Sequence, residues 1–159
     1  MRNSTLLFLV KKQNGVIDKI CLAMKKRGFG AGRWNGVGGK VNEGESIEEA
    51  TKREAHEEIG IVLKVMSKVA ELSFTFPNNV SWNQLVHVYL TDKWEGDPVE
   101  SEEMKPEWFS VNAIPFPDMW PDDIFWLPKV IDGKLIKGGF AFGEKDLILE
   151  QHVEVVDAL

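Results

Sequence analysis

The segment Gly39–Ile61, GKVNEGESIEEATKREAHEEIGI, constrains this chain more than any other. Its start and stop are both written into it. Ser46 and Glu49 form the S-x-x-E pattern in which each side chain bonds the other's backbone N–H, and Gly60 supplies the left-handed residue on which helices commonly end. The spacing predicts a helix over 47–59. On a wheel of about 100° per residue, Ile47, Ala50, Thr51 and Ala55 mark the face turned toward the protein. Glu54 and Glu58 fall in the same arc, with Glu57 at its edge. The inward face therefore turns from apolar to acidic in its second half.

Three costs stack on that arrangement. Glu54, Glu57 and Glu58 are spaced i, i+3 and i+4, so like charges face one another. Glu57 and Glu58 lie in the last turn, where the helix dipole disfavours anions. Partial burial adds a desolvation penalty. An ordinary solvated acidic helix places its acids on the outer face and toward its N-terminus, and this one does neither. A bound divalent cation removes all three costs together, and carboxylate-rich, all-oxygen ligation points to Mg²⁺ or Mn²⁺.

The rest of the chain reads as strands around that helix. A strand is expected over 5–12, a turn at Asn14-Gly15 and a second strand over 19–24. The run KKRGFGAGRWNGVGGK carries glycines at a density that means a loop, or backbone that approaches something closely. Strands follow over 62–76, over 85–90 and near Trp108. A helix is expected from Pro121, then strands over 135–142 and 147–155. Strands with two helical segments predict an α/β fold, a mixed sheet with helices packed on it.

A length of 159 residues suits one domain, taken as 1–159. A net charge of -6 argues against a protein that coats a nucleic acid polymer. It leaves room for a small phosphorylated substrate carried with a cation. The apolar run Leu6–Val10 is too short to span a bilayer, so no membrane role is expected. A single cysteine, Cys21, allows no intrachain disulfide, and a reducing, cytoplasmic setting is expected. Cys21 reads as a core residue. His56, His87 and His152 are scattered and suggest no zinc site.

Gly39, Glu45, Arg53-Glu54, Glu57-Glu58 and Gly60-Ile61 together resemble the Nudix box, G-x5-E-x7-R-E-U-x-E-E-x-G-U, where U is a bulky aliphatic. Ala55 departs from it, being smaller than the usual aliphatic. The resemblance implies a Nudix α/β/α sandwich and a hydrolase that cleaves a nucleoside diphosphate linked to another group. It implies that Glu54, Glu57 and Glu58 bind the metal, with help from the Gly39 carbonyl. Arg53 and Glu45 would orient them. Glu103 is the candidate for an additional ligand or base from a distant loop, with Glu100 and Glu102 as rivals.

The stretches MKKRGFGAGRWNGVGGKV, PVESEEM, IPFPDMWPDD and FAF extend the similarity. They resemble the animal MutT homologues, triphosphatases that sanitise the nucleotide pool by converting 8-oxo-dGTP and 2-hydroxy-dATP to the monophosphate and pyrophosphate. That likeness implies that Asn35, Asp122 and Asp123 bond the purine. Trp120, Phe29, Phe74 and Phe76 would wall it, and Thr5, Lys25, Trp126 and Phe142 would line it. Read from the residues alone, Asp122 and Asp123 fit a helix start equally well. Gln84 stands where those enzymes carry a methionine, and the turn PNNVSWNQ is longer. A monomer acting on a small nucleoside triphosphate is expected. The alternatives are an ADP-ribose-type pyrophosphatase, for which Pro77 is the one pointer, and a nucleotide-sensing module, which would tend to lose the box glutamates kept here.

Overall fold

Leu6–Val10 forms the middle of β1 (Arg2–Gln13) in a computed structural model that describes Met1–Leu159. Side chains alternate across a strand, and β1 uses both faces: Leu7 and Leu9 enter one apolar cluster, Phe8 and Val10 another. A strand covered on both sides must be apolar throughout, which is why this run does not alternate with polar residues. β2 (Val16–Lys25) repeats the division, with Ile20 and Leu22 on one side and Cys21 and Ala23 on the other. The two strands pair antiparallel through Asn14 and Gly15 at φ 54° and 78°, the left-handed pair that a tight hairpin turn requires.

The remaining strands are β3 (Trp34–Asn35), β4 (Val62–Thr75), β5 (Gln84–Glu95), β6 (Met104–Ser110), β7 (Leu135–Phe142) and β8 (Ile148–Val156). They form a sheet in the order β3-β2-β1-β5-β4-β7-β8, with β6 also paired to β2. The β1–β5 and β4–β7 pairs are parallel and the rest antiparallel, so the sheet is mixed, as expected. Helix α1 (Ile47–Ile59) lays Ala55 and Ile59 on the Leu7/Leu9 face. Helix α2 (Asp123–Ile131) lays Trp126, Leu127 and Val130 on the Phe8/Val10 face. One helix on each face makes the α/β/α sandwich. No helix is long and apolar enough to cross a membrane.

Both ends of α1 are as the sequence predicts. The Ser46 Oγ accepts from Glu49 N at 3.1 Å, a Glu49 carboxylate oxygen accepts from Ser46 N at 3.1 Å, and Gly60 adopts φ 74°. The start of α2 differs from the expectation. Pro121 and Asp122 lie in a turn and the helix begins at Asp123. Asp122 is at the cap position, yet its side chain makes no cap hydrogen bond. β5 also runs on to Glu95, beyond the apolar stretch that announced it, because β4 continues to pair with it as far as Val62.

Removing the Ser46 hydroxyl leaves an N-terminal donor of α1 unpaired. Ser46→Ala is expected to cost about 1 kcal/mol, or roughly 2–4 °C in Tm for a chain of this size. Calorimetric melting checks this, and an unchanged Tm would show that the capping box carries no weight here.

Candidate active site

Arg53 is the hub of the acidic segment. Its Nε and Nη2 donate to Glu45 at 2.7 and 3.0 Å, a two-point grip on one carboxylate. Nη2 also donates to the Lys40 carbonyl at 3.0 Å, and Nη1 donates to Glu54 at 2.9 Å and Glu57 at 3.3 Å. A guanidinium can serve so many acceptors because its donors are fixed in a planar fork. The hydrogen bond from Arg53 holds Glu45 below the usual carboxylate range. Arg53 thus ties the loop before α1 to two acids on the helix, the orienting role expected of it.

Glu58 has the opposite environment. It is buried, with one carboxylate oxygen near Gly38 N at 3.3 Å and the other without a partner. Burial, and then the neighbouring Glu54, push its pKa up to about 9. Gly39 explains how Glu54 fits: a Cβ there would lie 2.7 Å from a Glu54 carboxylate oxygen. Only glycine leaves the acid room to sit against the backbone. The Gly39 carbonyl accepts from Thr5 N at 2.8 Å, and a carbonyl has a second lone pair to offer.

An unpartnered buried carboxylate oxygen beside a second carboxyl is the donor chemistry that a divalent cation suits. Gly39, Glu54 and Glu58 come together as predicted. Two predicted ligands do not join them. Glu57 is exposed and bonded to Arg53, the nearest positive charge one turn back along α1. Glu103 lies 3.4 Å from Arg27, while Glu102 approaches Arg27 at 3.6 Å and Glu100 pairs with Lys26. All three loop acids thus face the basic run that precedes the glycines. No three acidic, histidine or cysteine side chains are gathered as a ready cage.

A cavity of about 290 Å³ opens beside this cluster. Every residue expected to hold a purine lines it: Asn35, Asp122, Asp123, Trp120, Phe29, Phe74, Phe76, Thr5, Lys25, Trp126 and Phe142. Gly38 and Gly39 line it too, so the cavity reaches the two residues that contact Glu58 and Glu54. Asp122 and Asp123 are both buried in its lining. Asp122 accepts from the Trp126 indole N–H at 2.7 Å, and one Asp123 carboxylate oxygen has no partner. Burial raises the pKa of both, and the charge of Asp122 pushes Asp123 further, well above the ordinary range. Both residues line the cavity, and the Asp122 side chain makes no cap hydrogen bond to α2, although the two still stand at the start of that helix.

Some lining residues were not legible in the sequence. Arg33, which the sequence left open between a phosphate contact and a solvated loop, lies 4.1 Å over the Trp120 ring. Arg2 also lines the cavity, as does Gln84, which the sequence had already marked as a departure in the pocket wall. His87 is not isolated: its ring nitrogens lie 2.9 Å from Lys68 Nζ and 3.0 Å from Asn3 Oδ1. Cys21 is buried, its thiol pushed up to about 12 by desolvation, as suits a core residue.

The raised pKa of Glu58 predicts a pH dependence. A carboxyl held above its ordinary value of 4.5 gives stability that is full below that value and is lost as pH rises through about 9. Glu58→Gln keeps the neutral form at every pH. In chelator, the variant is expected to melt above the parent, by a margin that widens between those two pH values. Melting curves that superimpose throughout the range would refute the buried-acid assignment.

The NUDIX domain model matches residues 2–130. The chain is 47% identical over 141 residues to the oxidized purine nucleoside triphosphate hydrolase of Mus musculus, covering 89% of this chain and 90% of the relative. It is 44% identical to the protein of the same name from Danio rerio, with the same coverage. Among solved structures, the MutT protein of Bacillus halodurans superposes with a TM-score of 0.83 at 25% identity, over 97% of this chain and 98% of that one. The box residues, the sandwich around them and these matches agree, and the chain belongs to the Nudix family.

Proposed function

We propose that this protein hydrolyses oxidised purine nucleoside triphosphates such as 8-oxo-dGTP and 2-hydroxy-dATP, releasing the monophosphate and pyrophosphate, with Mg²⁺ as the metal. The observation that carries this reading is one cavity lined both by the buried Asp122 and Asp123 and by Gly38 and Gly39, whose backbone meets Glu58 and Glu54. Relatives of nearly the full length that bear the name oxidized purine nucleoside triphosphate hydrolase support it. Hydrolysis inserts a water oxygen at phosphorus and breaks a phosphoanhydride bond, with pyrophosphate leaving.

Nudix hydrolases use a divalent metal, which when bound neutralises phosphate charge and activates water. Glu54 and Glu58 would hold it with the Gly39 carbonyl, and Glu57 would leave Arg53 to join them. Arg53, gripped by Glu45, keeps Glu54 oriented. Lys25 lines the cavity, and its charge is felt at Glu58. These two facts support a role for its ammonium in binding the phosphates.

The purine end works by proton placement. Two carboxyls buried side by side do not both ionise, so one donates while its neighbour accepts. Phe29, Phe74, Phe76 and Trp120 supply flat apolar surface for the ring. A donor–acceptor pair set at the base edge suits oxidised purines in more than one tautomer. Asn35 orients differently, since its own side-chain oxygen accepts from Gly36 N at 2.8 Å and leaves its amide N–H groups for the cavity.

A steady-state screen of modified and normal nucleoside triphosphates, read as kcat/KM, tests the substrate class. The proposal fails if ADP-ribose or unmodified nucleotides are hydrolysed more efficiently than 8-oxo-dGTP. Asp122→Asn and Asp123→Asn are each expected to lower kcat/KM for 8-oxo-dGTP about tenfold or more, since an unmatched buried hydrogen-bonding group costs about 1–3 kcal/mol. Metal dependence should be unchanged in both. Glu57→Gln is expected to fold normally and to lose most of its kcat at saturating Mg²⁺, and near-parental turnover would remove Glu57 from the ligand set.

A further inference from the structure

Two side chains outside the cavity hold its outer wall from opposite ends. Trp82 stands on the turn between β4 and β5, and 41% of it remains exposed. Its ring lies 4.9 Å from Phe29 and 5.6 Å from Phe76, centroid to centroid. Phe29 in turn lies 5.2 Å from Trp120. Trp120 carries the Arg33 guanidinium over its face at 4.1 Å, and Arg33 pairs with Asp146 at 2.8 Å. The result is a ladder, Trp82–Phe29–Trp120–Arg33–Asp146, built from four separated segments. Its three inner members line the cavity and its two ends do not.

Both ends are anchored. The Trp82 turn is tied down by Asn83, whose side-chain oxygen accepts from Phe76 N at 2.7 Å, and by Trp82 N donating to the Asn79 carbonyl at 3.0 Å. At the other end Lys145 and Asp146 are consecutive non-glycine residues in the left-handed region, at φ 54° and 59°. Such backbone persists where surrounding contacts over-determine it, and it gathers at functional clamps. Here the strained turn delivers the carboxylate that holds Arg33.

We infer that Trp82 and Asp146 are positioning residues for purine recognition, clamping the aromatic wall of the cavity in its binding geometry through Phe29 and through Arg33 with Trp120. The inference rests on the cavity being the purine site. Arg33 adds a second effect of the same clamp, because its charge acts on the buried Asp122–Asp123 pair. Neither end residue touches the box acids, so the clamp bears on binding of the base and not on bond cleavage.

The test compares the parent with Trp82→Ala, Trp82→Phe and Asp146→Asn. Asparagine tolerates the left-handed backbone, so the last substitution removes charge without adding strain. Each protein is assayed for kcat and KM on 8-oxo-dGTP, for calorimetric Kd of the product 8-oxo-dGMP, and for Tm. Trp82→Ala and Asp146→Asn are expected to raise KM and Kd by roughly two- to tenfold, the size of a lost aromatic or cation–π contact, with kcat nearly unchanged. Trp82→Phe is expected to recover most of the loss. Variants that melt earlier but keep parental KM and Kd would overturn the clamp and leave the purine assignment standing. A parent protein that neither hydrolyses 8-oxo-dGTP nor binds 8-oxo-dGMP would overturn both.

Discussion

The backbone at Gly38 and Gly39 carries the arrangement on which the rest depends. A Cβ on Gly38 would overlap the carbonyl of Thr5 in β1, and one on Gly39 would press into the Glu54 carboxylate. With glycine at both positions, the loop that returns from β3 lies flat between the central strand and α1. It bonds Thr5 on one side and Glu58 on the other. That close approach lets the cavity on the α2 face of the sheet reach acids carried by the helix on the opposite face. Larger residues there would separate the two halves of the site.

The site stores electrostatic tension at both ends. At one end Glu58 is buried with an oxygen unsatisfied beside Glu54. At the other, Asp122 and Asp123 are buried together with a single indole N–H between them. Burial of like charges is costly unless a proton or a cation intervenes, and the two ends relieve the cost differently. The acids of α1 meet the backbone of Gly38 and Gly39, which lines the cavity, and a divalent cation would offset their charge. The aspartates lie among the aromatic lining, where a proton is the available partner. Arg53 and Arg33 act as the fixed positive charges behind each, Arg53 through Glu45 and Arg33 through Asp146.

Relief of the same tension explains where the remaining acids of the site point. Glu57 turns to Arg53 because the pair is one helical turn apart and no stronger charge competes. Glu100, Glu102 and Glu103 turn to Lys26 and Arg27 for the same reason. These are water-screened pairs of small worth.

Local rules were enough for α1, because a capping box and a terminal glycine act within a few residues, and the inward turn of Glu54 and Glu58 follows from helical period alone. The box spacing likewise picked out Glu54 and Glu58, and the apolar run at Leu6–Val10 marked a strand, while the coverage of both its faces came from the packing. Asp122 and Asp123 could not be assigned from their neighbours, since a helix start and a purine site call for the same residues in the same place. The packing of α2 against the sheet adds what neighbours in sequence cannot supply, the burial of both carboxyls beside Trp126. Trp82, Arg33 and Asp146 gave no local signal, because their partners are distant in the chain and meet only when the β4–β5 turn, the glycine loop and the β7–β8 turn converge. Sequence by itself determined the elements and the acidic chemistry, which short-range periodicity and capping encode. Tertiary structure alone decided which charges are desolvated and which rings touch, because burial and contact belong to segments that the chain keeps far apart.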